Sequence, residues 1–399
     1  MITLVEFTHL VKDEGVLSMM IYFDNSATTK PFPEVIDSFV KVSSDFFGNP
    51  SSIHRLGVEA ERLLGQARKQ VAELLKVNPS EVYFTSGGTE SNNLAIKGTA
   101  LMYRNRGKHI ITSAVEHASV REALQQLKEL GFRITIIPVN EEGRVSVSDI
   151  EEAICDDTIL VSIMHVNNEV GTIQPVEEIG NMLKGYSKIL FHVDYVQGVG
   201  KVALDIHKYQ IDMCSLSGHK FHGLKGTGVL MIREGLQISP LFSGGNQEWK
   251  LRSGTENVAG VVSMAKALRL SLQSFETKLK TIEEVQNYLL SELQKLEDVI
   301  IHTPSSGRAP HIINFSVQGF RGEVFVHALE EKGLIVSTTS ACSSKKKAIS
   351  QSLLAMNVSK EIAESAIRIS LSYENTLEEA IKAISIIKTT VNELREVMH

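Results

Sequence analysis

ILVSIMHV at 159–166, KILFHVDYVQ at 188–197 and DMCSLSG at 212–218 follow one another as nearly continuous apolar runs, the last two ending on polar residues. Runs of this length without polar alternation suit strands buried on both faces by crossover helices. Working outward, VYFTSGG (82–88), HIITSAVEH (109–117) and RITIIPV (133–139) precede them in the same texture, and GVLMIR (228–233) follows. Helical patterns over Ser91–Asn105 and Val120–Gly131 separate several of these runs. From about Tyr22 to Arg233 the chain therefore reads as α/β, with a mostly parallel central sheet flanked by helices.

After Thr255 the texture changes. A helical stretch with few breakers runs to about Leu296, and strand-like VIIHTP (299–304) and HIINFSV (311–317) follow it. Next come a helix around Glu323–Lys332, strand-like IVSTTSA (335–341) and AIRISLS (366–372), and a terminal helix over Leu377–Met398. This predicts a large α/β domain at 21–260 and a smaller α+β domain at 261–399. Residues 1–20 read as an N-terminal extension, with Met20 as an alternative start.

Bulk composition narrows the function classes. Of 399 residues, 43% are hydrophobic and 22% charged, as in ordinary soluble globular proteins. A formal net charge of -6 provides no global basic field, so no direct nucleic-acid binding is expected. Glu6, Lys12, Asp13 and Glu14 interrupt the apolar beginning, which is neither a signal segment nor a membrane span. Three cysteines do not make a disulfide framework, and free thiols suit the reducing cytoplasm. The 13 histidines include no HExxH and no CxxC is present, so no metal is expected. Gly223, Gly226 and Gly228 precede a strand instead of joining strand to helix, and a dinucleotide fingerprint fails.

Ligands of open α/β sheets sit at the carboxyl ends of the strands, and three such ends are polar. Ser86-Gly87-Gly88-Thr89-Glu90 joins a strand to a helix whose N-terminus could take a phosphate, although a Gly-Gly turn alone is more often a plain tight turn. Asp194-Tyr195-Val196-Gln197 closes a second strand, and Ser217-Gly218-His219-Lys220 a third. A lysine there is either an amine nucleophile or a rim residue reaching for water.

SGGTESNN, EH at 116–117, NNEVGT, HVDYVQ, SGHK, RSGTENV and SAC occur together, in this order, across nearly the whole chain from Tyr22. In this the sequence resembles the cysteine desulfurases of the NifS/IscS type, in the class-V aminotransferase family with the fold type I of pyridoxal-phosphate enzymes. The resemblance implies pyridoxal 5'-phosphate carried on Lys220, with Asp194 on its ring nitrogen and Gln197 on its phenolate oxygen. It implies that His117 stacks on the ring and assists proton transfer. Gly88, Thr89, Ser217 and His219 would hold the phosphate, and Thr255 would complete that cup from the second subunit of a homodimer. Asn168 would contact the cofactor or the substrate carboxylate, and Arg368 would grip that carboxylate as a fork. The substrate would be L-cysteine, and the sulfur would pass to an acceptor protein, an iron–sulfur scaffold or a tRNA sulfurtransferase.

Only a thiolate attacks sulfur well. Cys155 lies in EEAICDD, where neighbouring acids oppose ionisation, and Cys214 lies inside an apolar strand as a small core residue. Cys342 follows a strand and precedes the basic run Lys345–Lys347, which favours the thiolate and could steer an acidic acceptor. The SAC motif points to the same residue, so Cys342 is the expected nucleophile. A selenocysteine lyase, an aminotransferase and a weakly active partner-binding paralogue are the rival readings. The first two need no loop cysteine, and the third would lack Lys220, Asp194 or Cys342. Departures from the family pattern stand at Tyr195, Leu224, Thr338-Thr339, Asn246, Trp249 and Lys250.

Overall fold

The computed structural model describes residues 20–273, 275–338 and 349–398. Its strands are β1 (Ile21–Tyr22), β2 (Val82–Thr85), β3 (His109–Ser113), β4 (Arg133–Ile137), β5 (Thr158–Met164), β6 (Leu190–Asp194) and β7 (Met213–Ser217). They continue as β8 (Gly228–Ile232), β9 (Val299–Ile301), β10 (Ile312–Val317), β11 (Leu334–Ile335), β12 (Ser337–Thr338) and β13 (Ala366–Ser370).

Among the described residues, the seven apolar runs form one sheet in the order β2-β8-β7-β6-β5-β3-β4. The strands from β7 to β4 are parallel, and β8 is antiparallel to both its neighbours. Period-two alternation gives each strand two apolar faces. Ile110, Leu160, Leu190 and Leu230 face one core, while Ile111, Val161, Phe191 and Leu216 face the other. The helix Gly88–Tyr103 buries Leu94, Ala95 and Ile96 in the first core, and Val71, Ile179 and Leu268 from other helices close the second.

The expectation of burial on both faces fails at β4. As the edge strand it leaves Arg133 exposed and Ile136 61% exposed. The long helical stretch is two helices, Val258–Leu272 and Phe275–Leu293. The first packs through Val261, Met264 and Leu268 on the core of the large sheet, so the smaller core begins after it and not at residue 261.

A second sheet, ordered β12-β13-β10-β9 among the described residues, is antiparallel. Its core joins Phe315, Phe325, Leu289 and Ile387 with Ile21 and Phe23 from the beginning of the described chain. β1 runs parallel to β11, and Asp24 bridges to Ser370. Residues 21–24 therefore belong to the smaller core, across the division that sequence texture suggests, and the chain then passes directly into the large sheet's ligand end.

Candidate functional site

The register places the polar strand ends side by side. Met164 pairs with Asp194, Asp194 with Ser215, and Ser217 with Gly228, which on its other edge faces Thr85. A cavity of about 540 Å³ opens there, lined by residues from all these strand ends, from 26–28 and from the second sheet.

One end is built to accept an anion. Gly87 has φ +148°, a conformation that favours glycine, and caps the helix Gly88–Tyr103 with no side chain of its own. A side chain at Gly88 would run into Val196 at 2.8 Å, so the helix start lies close against the cavity wall. Free N–H groups and the helix dipole face the cavity beside Thr89, Ser217 and His219. Burial, helped by the charges of Lys220, Lys225 and Lys201, pushes His219 down to about 4, so it is neutral. Glu90 does not spoil the anion end. Its carboxylate accepts from the Ser86 backbone N–H at 2.9 Å and pairs with Arg252 at 2.8 Å.

At the centre, Asp194 is 6% exposed. Its Oδ1 accepts from the Val196 N–H at 3.0 Å and its Oδ2 from Asn92 Nδ2 at 2.7 Å. Gln197 donates through Nε2 to the Ser26 carbonyl at 3.0 Å, and its buried Oε1 has no partner among the described residues. His117 caps the helix Ala118–Glu129 and lines the cavity. Behind it Glu116 is wholly buried, and burial pushes its carboxyl up to about 8.

Lys220 ends the short turn Gly218–Lys220 after β7. Its Nζ donates to the Ser26 carbonyl and, at 2.9 Å, to that of Ala27. The buried Lys201 donates to the Lys220 carbonyl at 2.7 Å. Arg368 comes from β13, 3% exposed, with Nη1 on the Asn168 carbonyl and Nη2 on Asp24 Oδ1, both at 2.9 Å. Gly88, Thr89, His117, Asn168, Asp194, Gln197, Ser217, His219, Lys220 and Arg368 thus meet in one cavity. Thr255 does not. It is exposed ahead of the helix Val258–Leu272, outside the cavity lining. Cys342 and Lys345–Lys347 lie outside the described residues.

Sequence reasoning missed Ser26, Ala27, Asn92, Ser119 and Lys201. Asn92 stood inside the quoted SGGTESNN motif, and a buried asparagine on a helix against a strand end was the available signal. Cys155 is also corrected. Its local acids do not rule it, because Arg133 of neighbouring β4 donates to Sγ at 2.9 Å. Burial opposes ionisation, but the Thr158 hydroxyl and the Arg133 guanidinium outweigh it and the thiol falls below its ordinary value. Cys214 is buried as expected, and burial pushes it up. Tyr195 is absorbed behind the cavity, its hydroxyl donating to the Val202 carbonyl at 2.8 Å. Among the described residues no group of three His, Cys, Asp or Glu side chains could hold a metal, and no helix is long and apolar enough to cross a membrane.

The residues present fit a flat phosphorylated cofactor with a ring nitrogen. An N–H cradle suits the phosphate, a buried carboxylate the nitrogen, an amide whose Nε2 spends one of its two hydrogens on Ser26 the ring oxygen, and an amine the aldehyde. Comparison with known proteins agrees. The family model described as aminotransferase class-V matches residues 21–382. The chain is 50% identical over 368 residues to a "NifS/IcsS protein homolog" of Lactobacillus delbrueckii subsp. bulgaricus, covering 92% of this chain and 96% of that protein. It is 42% identical over 378 residues to "Cysteine desulfurase IscS" of Dictyoglomus turgidum, covering 94% and 96%. A solved structure titled "NIFS-LIKE PROTEIN" superposes with a TM-score of 0.89 at 39% identity, covering 94% of this chain and 99% of that one.

Proposed function

The chain belongs to the aminotransferase class-V family, and from that premise we infer a pyridoxal-phosphate-dependent cysteine desulfurase that converts L-cysteine to L-alanine. The carrying observation is the meeting of Lys220, Asp194, the 87–89 helix start and Arg368 on one cavity. The cofactor, when bound, supplies an electron sink that makes the substrate Cα proton removable.

The rest is the work of this chain's own groups. Gly88, Thr89, Ser217 and His219 would hold the phosphate, and Asp194 would face the ring nitrogen and keep it protonated. Gln197 would donate its second Nε2 hydrogen to the phenolate oxygen, and His117 would cover one ring face. Arg368 takes the substrate carboxylate, with Asn168 beside it. Asp24 and the Asn168 carbonyl already orient that guanidinium, so little side-chain freedom is lost when substrate arrives. Lys220 would hold the cofactor, and its amine, once free, would take the Cα proton. The Cys342 thiolate attacks the substrate sulfur, so that an S–S bond forms and the C–S bond breaks. The electron pair stays with the substrate carbon, which gains a proton and leaves in alanine, while Cys342 keeps a persulfide.

In this reading the enzyme works in the cytoplasm as a homodimer, with Thr255 of each subunit completing the other's phosphate cup. Two features support this. Thr255 is exposed and away from its own cavity, and the stretch from Phe47 to Val58 leaves Phe47 70%, Ile53 100% and Val58 51% exposed. The persulfide then goes to an acceptor protein, an iron–sulfur scaffold or a tRNA sulfurtransferase. Lys220→Ala is expected to lose both the visible absorbance of the lysine-bound cofactor and alanine production from cysteine. Cys342→Ser is expected to keep that absorbance and make no alanine. Alanine at the wild-type rate from Cys342→Ser would remove the nucleophile assignment, and unchanged absorbance in Lys220→Ala would move the cofactor to another lysine.

A further inference from the structure

His117 is held by a chain of hydrogen bonds whose directions can be worked out. Asn92 is 1% exposed, and its Nδ2 lies 2.7 Å from Asp194 Oδ2 and 2.9 Å from Ser119 Oγ. A carboxylate only accepts, so it fixes the amide orientation, since the flipped form would set two oxygens against each other. The buried Asn92 Oδ1, without a partner among the described residues, is the mark of that choice. Both Nδ2 hydrogens are then spent, one on Asp194 and one on Ser119. The Ser119 hydroxyl, accepting from Asn92, turns its single hydrogen to His117 Nδ1 at 2.8 Å. The Ser119 backbone N–H reaches the same nitrogen at 3.1 Å. Two donors converge on Nδ1, so a hydrogen there would face two others.

We propose that Asn92 and Ser119 are positioning residues that lock His117 as the neutral Nε2–H tautomer, leaving proton transfer at the substrate carbon to Lys220. The imidazole then meets the cofactor as a flat neutral plate and a hydrogen-bond donor, with no basic nitrogen free to act as a proton acceptor. The charged groups facing it are Asp194, which favours a second proton, and Lys220 and Arg121, which oppose it. Burial, the largest influence, also opposes it. The inference rests on the placement of His117 against the cofactor. The tautomer itself is equally readable in cofactor-free protein, so the two can fail separately.

The test is ¹⁵N NMR of histidine-labelled holoenzyme, with the His117 signals identified by their loss in His117→Gln. Wild type is expected to show the Nε2–H pattern alone, unchanged across about pH 5–8, where an ordinary imidazole titrates. Ser119→Ala, which leaves only the backbone N–H on Nδ1, is expected to show an Nδ1–H fraction beside the Nε2–H form, and Ser119→Thr, which keeps the hydroxyl, to restore the wild-type pattern. Asn92→Asp offers the Ser119 hydroxyl a new acceptor and should draw its hydrogen from His117, with the same result as Ser119→Ala. Turnover of Ser119→Ala should fall about three- to tenfold, the worth of one hydrogen bond, with little change in KM. Wild-type His117 protonated on Nδ1, or titrating as an ordinary imidazole, would overturn the proposal. So would wild-type spectra and turnover in both Ser119→Ala and Asn92→Asp.

Discussion

Lys201 is a buried lysine, 2% exposed, whose ammonium donates to the Lys220 carbonyl. Burial and then the charge of Lys220 push it down from 10.5 to about 7. Its folded value is depressed, so between about pH 7 and 10.5 the unfolded chain binds more protons and stability rises with pH. That gain is on the order of 5 kcal/mol over the window. Chemical denaturation of Lys201→Met should lack this rise, and parallel pH profiles for variant and wild type would show that Lys201 titrates normally. Arg368 gives a second expectation at this scale. Arg368→Ala removes a charged fork worth about 2–5 kcal/mol when its partner is left unpaired. The KM for cysteine should rise steeply while the cofactor absorbance stays normal, and an unchanged KM would put the substrate carboxylate elsewhere. The apolar runs put Lys220, Asp194 and His117 at strand ends, and only the family resemblance gave them roles. Ser26 and Ala27 were not legible in the sequence, because they act through backbone carbonyls, which every residue type shares.

Among the elements, the seven runs of the large sheet were readable from apolar continuity. β1 was not, since two residues carry no period, and its place is set by a partner strand more than three hundred positions away. The turn at Glu248–Lys250 was also only half legible. Trp249 and Lys250 were noted as departures from the family pattern, but not that Glu248, Trp249 and Lys250 would all be left-handed, at φ 44°, 52° and 68°. The strain is held from below. Arg68 grips the buried Glu248 with both Nη atoms at 2.9 and 2.6 Å, Glu248 also accepts from the Phe84 N–H at 3.0 Å, and the guanidinium stacks between Phe84 and Trp249. Lys250→Val should lower stability by more than about 1 kcal/mol, because a β-branched residue tolerates this conformation worst, whereas Lys250→Gly should not lower it. Arg68→Met should cost about 3–5 kcal/mol by leaving a buried carboxylate unpaired. Thermal unfolding checks all three, and equal loss in Lys250→Val and Lys250→Gly would mean the side chain and not the backbone matters there.

For the whole molecule, the exposed Phe47, Ile53 and Val58 lead to an expectation about assembly. On the homodimer proposed above, changing Ile53 and Phe47 together to glutamate should shift the protein from dimer to monomer by light scattering. Turnover should fall with it, because Thr255 could no longer serve the second subunit. A fully active monomer would end the shared-site reading. The stitching of residues 21–27 has a consequence for how the enzyme is born. Asn25 bonds the carbonyl of Ser370, 345 positions on, and the next two residues lend their carbonyls to Lys220. A nascent chain on the ribosome can finish the large sheet once Ile232 is out, but β13 begins only at Ala366. Contacts of such sequence separation form late and slowly. Cofactor capture on Lys220 should therefore wait for β13, and ribosome-stalled chains ending before it should stay colourless when vitamin B6 phosphate is supplied.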